Sequence, residues 1–144
     1  MQQRLTTGAA IATSLRQVRQ HRRRQLLTLI VRDVSDGAQA LGELDFAALC
    51  RERGLPKPSR QVLRPGPRGR AYLDVYWDYH GVVAEIEGIH HGAGQTQVDD
   101  ALRQNALSLT GDFWLRIPVL GLRIATEQFM TQVAAVLDQA APTA

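Results

Sequence analysis

Ala71-Tyr72-Leu73-Asp74-Val75-Tyr76-Trp77-Asp78, then Tyr79-His80, then Gly81-Val82-Val83-Ala84-Glu85-Ile86-Glu87 is the stretch whose alternation decides the fold. Period-two patterning places Leu73, Val75 and Trp77 on one face of a strand over 71–78. The same pattern places Val82, Ala84 and Ile86 on one face of a strand over 82–87. Tyr79-His80 is short enough for a tight hairpin, and a two-residue loop there pairs Asp78 with Gly81. Asp74 then falls directly opposite Glu85, with Glu87 diagonally beside it on the same face. A slip of one residue would disperse the three carboxylates, whereas a slip of two would keep them together.

Working outward, residues 61–64 read as another extended segment, set off by Pro65-Gly66-Pro67, and complete a three-stranded antiparallel meander. Val98, Leu102, Ala106 and Leu109 mark a helix over 96–109, closed by Gly111. Residues 113–117 read as a fourth strand, and its helical crossover predicts that it runs parallel to a strand already in the sheet. A last helix over 126–138 carries Phe129, Val133, Val136 and Leu137 on one stripe. Upstream, Leu15, Val18, Leu26, Leu29 and Ile30 recur at helical spacing and predict one amphipathic helix over 11–31. Residues 33–42 read as a polar, glycine-containing break, and 42–53 as a short helix with Leu44, Ala48 and Leu49 inward. Gly54 ends that helix, and Pro56 and Pro58 make 54–58 a rigid connector. The expected architecture is α/β, of an α+β-like kind: a mixed four-stranded sheet flanked by helices. A helical extension or connector over 1–40 precedes the main domain over 41–140.

The 144 residues, 44% apolar and 22% charged, suit one globular domain and exclude a disordered chain or two independent cores. No apolar run approaches the roughly 20 residues that span a bilayer, and the opening residues do not read as a signal peptide. A cytoplasmic protein with no membrane partner is expected. Cys50 is the only cysteine, so there is no intrachain disulfide, and its apolar setting predicts a buried thiol. The net charge of +3 hides an asymmetry. Residues 1–73 carry 14 basic and 5 acidic side chains, whereas 74–144 carry 3 and 9. A basic half suits an anionic polymer, and clustered carboxylates suit a divalent cation. The run Arg22-Arg23-Arg24 either grips phosphate or forms a solvated helix face.

Two unit charges about 5 Å apart at an effective dielectric of about 20 repel by roughly 3 kcal/mol, so Asp74, Glu85 and Glu87 require compensation. A hard divalent cation would supply it, since Mg²⁺ takes one or two carboxylates and keeps waters and substrate phosphate in its shell. A shared proton would also serve, with general acid–base hydrolysis as the consequence. The bland alternative is a solvated sheet edge from which the side chains splay into water.

Asp74 on one strand, Glu85-Ile86-Glu87-Gly88 on the next, His90-His91, and then Asp100, Arg103, Leu107, Gly111 and Leu115-Arg116 form an ordered pattern. With Gly42-Glu43-Leu44 and Gly54-Leu55-Pro56 upstream, that pattern resembles the domain of unknown function family 559. This family is grouped with the very short patch repair endonucleases of the PD-(D/E)XK superfamily. The resemblance spans roughly residues 41–137 and implies a restriction-endonuclease-like core. It implies that Asp74 and Glu85 hold Mg²⁺, for which Mn²⁺ substitutes, against a scissile phosphate and activate a water. Glu43 matches an acidic helix residue that often completes such sites. Glu87 stands where the superfamily usually has lysine and this family more often has aspartate, so Arg103 or a histidine would have to substitute. His90 and His91 are placed for proton transfer or are polar loop residues. Arg103 faces phosphate or pairs with Asp99 or Asp100. Trp77 and Trp114 are expected in the core rather than as base-stacking platforms, and Gln97 and Gln104 are weaker site candidates.

The resemblance implies a Mg²⁺-dependent DNA endonuclease acting in repair, restriction or phage defence. The alternative is a catalytically decayed nuclease fold that serves as a DNA-binding or toxin–antitoxin-type regulatory module, and a small phosphate-ester hydrolase is a third. Arg22, Arg23, Arg24, Lys57, Arg60 and Arg64 are the expected DNA contacts. The apolar stripe of the first helix suggests a homodimer.

Overall fold

The computed structural model describes residues 8–17, 22–66, 70–89, 95–108 and 113–141. The meander forms as its alternation predicts. Strands β1 (Arg60–Pro65), β2 (Ala71–Trp77) and β3 (Val82–Glu87) are antiparallel neighbours. Strand β4 (Trp114–Pro118) pairs in parallel with β3, giving the order β1-β2-β3-β4. The hairpin register is the expected one at every pair, from Tyr72 opposite Glu87 to Trp77 opposite Val82. Gly81, with φ of 64°, takes the left-handed conformation at the end of the turn, where any other residue would be strained.

The hydrophobic core lies on one face of this sheet. Leu73, Val75, Trp77, Val82, Ala84, Ile86, Leu115 and Ile117 contribute to it, and helices supply the opposing layer. Helix α4 (Phe46–Glu52) begins at Asp45, whose carboxylate accepts from Ala48 N at 2.9 Å, and buries Phe46 and Cys50. Gly54, with φ of 65°, follows it. The Phe46 ring meets Trp77 edge-on at 6.0 Å, and Trp77 Nε1 donates to Pro56 O at 2.9 Å across the proline connector. Burial pushes the Cys50 thiol up to about 11, so this cysteine packs and does not react. Helix α7 (Thr126–Ala140) buries Phe129, Met130, Val133, Val136 and Leu137. Helix α5 (Gln95–Ser108) packs beside β4.

Three expectations need correction at the N-terminal side and after β4. The predicted single helix over 11–31 is two, α1 (Gly8–Gln17) and α2 (Arg24–Ser35), with Arg22 and Arg23 in a turn between them. The predicted break over 33–42 is helical: α2 runs to Ser35 and α3 (Gly37–Gly42) follows after Asp36. Tertiary contacts override the local turn preference of Ser-Asp-Gly there. Helix α6 (Val119–Ile124), in a stretch to which the sequence pattern assigns no element, carries Arg123, whose guanidinium binds both oxygens of buried Asp33 at 2.9 and 3.1 Å. This pair ties α2 to the main body, and the expected boundary at residue 40 falls inside α3.

Asn105 on α5 accepts from Arg116 N and donates to Arg116 O, both at 2.9 Å, and so does for β4 what a neighbouring strand would do. Asn105 is only 1% exposed, and its amide also reaches Gln132 on α7. Among the described residues, no helix is long and apolar enough to cross a membrane.

Candidate active site

The face of the sheet turned away from the core carries three side-by-side rows. Val62, Asp74, Glu85 and Arg116 make the central one, each opposite the next across the four strands. Asp74 and Glu85 are thus direct neighbours, as the hairpin register requires, and both are nearly buried at 7% and 8% exposure. One row along, Arg64, Tyr72, Glu87 and Pro118 are opposed in turn.

The compensation for these carboxylates is guanidinium from both outer strands. Arg64 Nε donates to Asp74 Oδ2 at 2.9 Å, and its Nη2 donates to Asp74 Oδ1 at 3.3 Å and Glu85 Oε2 at 2.9 Å. Arg116 Nε lies 3.3 Å from Glu87 Oε1, and Gln97 Nε2 donates to Glu87 Oε2 at 3.0 Å. Arginine thus supplies part of the compensation that the sequence alone assigns to a divalent cation or a shared proton. Arg64 lies two residues along β1 from Val62, the position facing Asp74, within reach of a long side chain.

Compensation is incomplete at Glu85. Burial raises its pKa above the ordinary glutamate range, Arg64 opposes that shift, and the nearby Glu87 charge adds to it. The hydrogen bond to Asp74 in turn raises the Arg64 pKa. Tyr72 backs the arrangement, its ring lying 4.7 Å from the Arg64 guanidinium. Gly66 leaves room for that ring, since a Cβ there would lie 2.2 Å from Tyr72 Cε2.

Other candidates fall elsewhere. Glu43 closes α3 and is engaged by Arg32 and by Gln39 Nε2, whereas Asp74 and Glu85 are engaged by Arg64. Its helix packs beside Leu63 and the core face of the sheet, so it is not brought to the cluster. Arg103 is well exposed and sits 3.7 Å from Asp100 on its own helix, the ion-pair alternative to phosphate. His90 and His91 lie outside the described residues. Arg22, Arg23 and Arg24 gather at the junction of α1 and α2, and Lys57 is exposed in the connector. Arg60 shares the face of the cluster, stacked 3.7 Å over the Tyr76 ring. Trp77 is core as expected, but Trp114 is 53% exposed and corrects the same expectation for that residue. Its alternation with buried Leu115 and Ile117 assigns it to the outer face beside Arg116.

Among the described residues, no group of three metal-ligating side chains is assembled. What the cluster offers is a pair of hard oxygen ligands next to two guanidiniums. The carboxylates suit a cation, and the guanidiniums suit a phosphate that approaches it. Comparison of the chain with protein-family models, with curated proteins and with solved structures finds no significant match.

Proposed function

We propose that the chain is a Mg²⁺-dependent DNA endonuclease with a restriction-endonuclease-like core, Mn²⁺ serving in place of Mg²⁺. The observation that carries this reading is the opposed, nearly buried pair Asp74 and Glu85, in which burial holds Glu85 above its ordinary pKa range even with Arg64 beside it. Two carboxylates fit the ion, which keeps the rest of its shell for water and phosphate. A divalent ion held by Asp74 and Glu85 supplies Lewis-acid stabilisation of charge on a phosphate oxygen. Arg64 and Arg116 present planar donors that match phosphate oxygens, and an incoming phosphate competes for them with the carboxylates. Glu87, oriented by Gln97 and Arg116, is a carboxylate able to take a proton from water. The basic N-terminal half holds the DNA backbone, and pairing of two copies through α1 brings a second site for the other strand.

The test is nicking of supercoiled plasmid with Mg²⁺ and with Mn²⁺, repeated for Asp74→Ala and Glu85→Ala. Divalent-dependent nicking that both variants lose supports the reading, and nicking that both retain defeats it. A second reading, a decayed nuclease fold acting as a DNA-binding or toxin–antitoxin-type regulatory module, is favoured by the Arg64 bridge and by Glu87 in the lysine position. Salt-sensitive DNA binding with no cleavage under either ion selects it.

A further inference from the structure

The third row on the outer face is Arg60, Tyr76, Val83 and Trp114, again opposed in turn across all four strands. We infer that this row is a stacking platform for single-stranded DNA, building on the DNA reading above and specifying the form of the strand bound. Trp114 is 53% exposed on a sheet whose other tryptophan, Trp77, is 1% exposed, so an indole face is available to a flat partner. At the opposite end, the Arg60 guanidinium lies 3.7 Å over the Tyr76 ring, which holds it on the outer face. Among the described residues its one hydrogen bond is a long one, 3.5 Å from Nη2 to Asp78, which leaves most of its five N–H donors for phosphate oxygens.

One guanidinium and two aromatic rings share one line, with Val83 between the rings, which suits an unpaired strand, whose bases have open faces and whose backbone is anionic. A duplex offers stacked bases no such access. The platform lies two residues along each strand from Asp74 and Glu85, about 7 Å away, so a strand stacked on it passes beside the carboxylates. The charge balance of the chain agrees, since Arg60 and Arg64 belong to the strongly basic N-terminal half.

The experiment titrates the full chain with fluorescein-labelled oligothymidylate in EDTA, where no cleavage occurs, and follows both anisotropy and tryptophan emission. Wild type is expected to bind the single strand more tightly than a duplex of equal length, with quenching of Trp114. Trp114→Ala is expected to lose the quench and weaken binding by about fivefold or more, and Trp114→Phe to restore most of it. Arg60→Ala is expected to lower the salt slope of binding by about one. Trp114→Ala binding within twofold of wild type, or a preference for duplex that Trp114 does not affect, overturns the platform. Trp114-dependent binding without cleavage under Mg²⁺ or Mn²⁺ overturns the nuclease reading alone, and cleavage with Trp114-independent binding overturns the platform alone.

Discussion

Arg64 grips Asp74 with two parallel hydrogen bonds, at 2.9 and 3.3 Å, and spends the same Nη2 on Glu85 at 2.9 Å. One side chain from an edge strand thus bridges two acids that face each other on the next two strands. Removing it as Arg64→Ala should destabilise the fold by about 1–2 kcal/mol, less than for a fully buried pair because the guanidinium is itself partly exposed. Mg²⁺ should then raise the melting temperature of the variant more than that of wild type. Equal thermal responses to the ion in the two proteins would count against Asp74 and Glu85 as a cation site.

Glu85 titrates above its ordinary range because burial disfavours the charged form. A raised carboxyl pKa means that the stability it contributes is complete below the unfolded value, about 4.3, and is lost as the pH rises through the folded value. Glu85→Gln cannot ionise and escapes that loss. Urea unfolding at about pH 4 and about pH 7 should therefore show the variant gaining on wild type at the higher pH. A gap that is constant, or that moves the other way, would refute the burial argument.

Asp33 is 1% exposed and 90 residues from its partner Arg123. Arg123→Ala strands that carboxylate inside the fold and should cost about 3 kcal/mol or more in chemical unfolding. The double variant Asp33→Leu with Arg123→Leu should recover much of the loss, because no buried charge remains. Failure of the double variant to recover would mean that the pair is needed for the geometry between α2 and α6.

Asn105→Leu removes both hydrogen bonds that close β4 and leaves the Arg116 amide and carbonyl unpaired. A cost of about 2–3 kcal/mol is expected, with amide exchange at Arg116 accelerated well before global unfolding. Unchanged exchange at Arg116 would show that other groups satisfy the strand.

The sheet was legible because each of its determinants is local. Strand alternation over 71–87 and a tight turn suffice to set Asp74 opposite Glu85, and the crossover helix suffices to make β4 parallel. The N-terminal helices were less legible, since Asp33-Val34-Ser35-Asp36-Gly37 reads as a turn until the Arg123 contact is known, and no local pattern announces a partner so distant. At the candidate site the acids could be placed from sequence but their counter-charges could not. Arg64 and Arg116 become visible as counter-charges only once β1 and β4 are in register, whereas the sequence alone offers Arg103, as the resemblance implies, and a metal ion. At Trp114 bulk and parity disagree: its bulk suggests the interior, while its parity with Arg116 places it outside.

Among the described residues, the sheet side chains that fill the hydrophobic core all lie on one face, and Tyr72, Val83, Trp114 and Arg116 are not among them. Descendants of this chain are accordingly free to retool what that surface recognises by successive single replacements, while the scaffold behind it goes on folding.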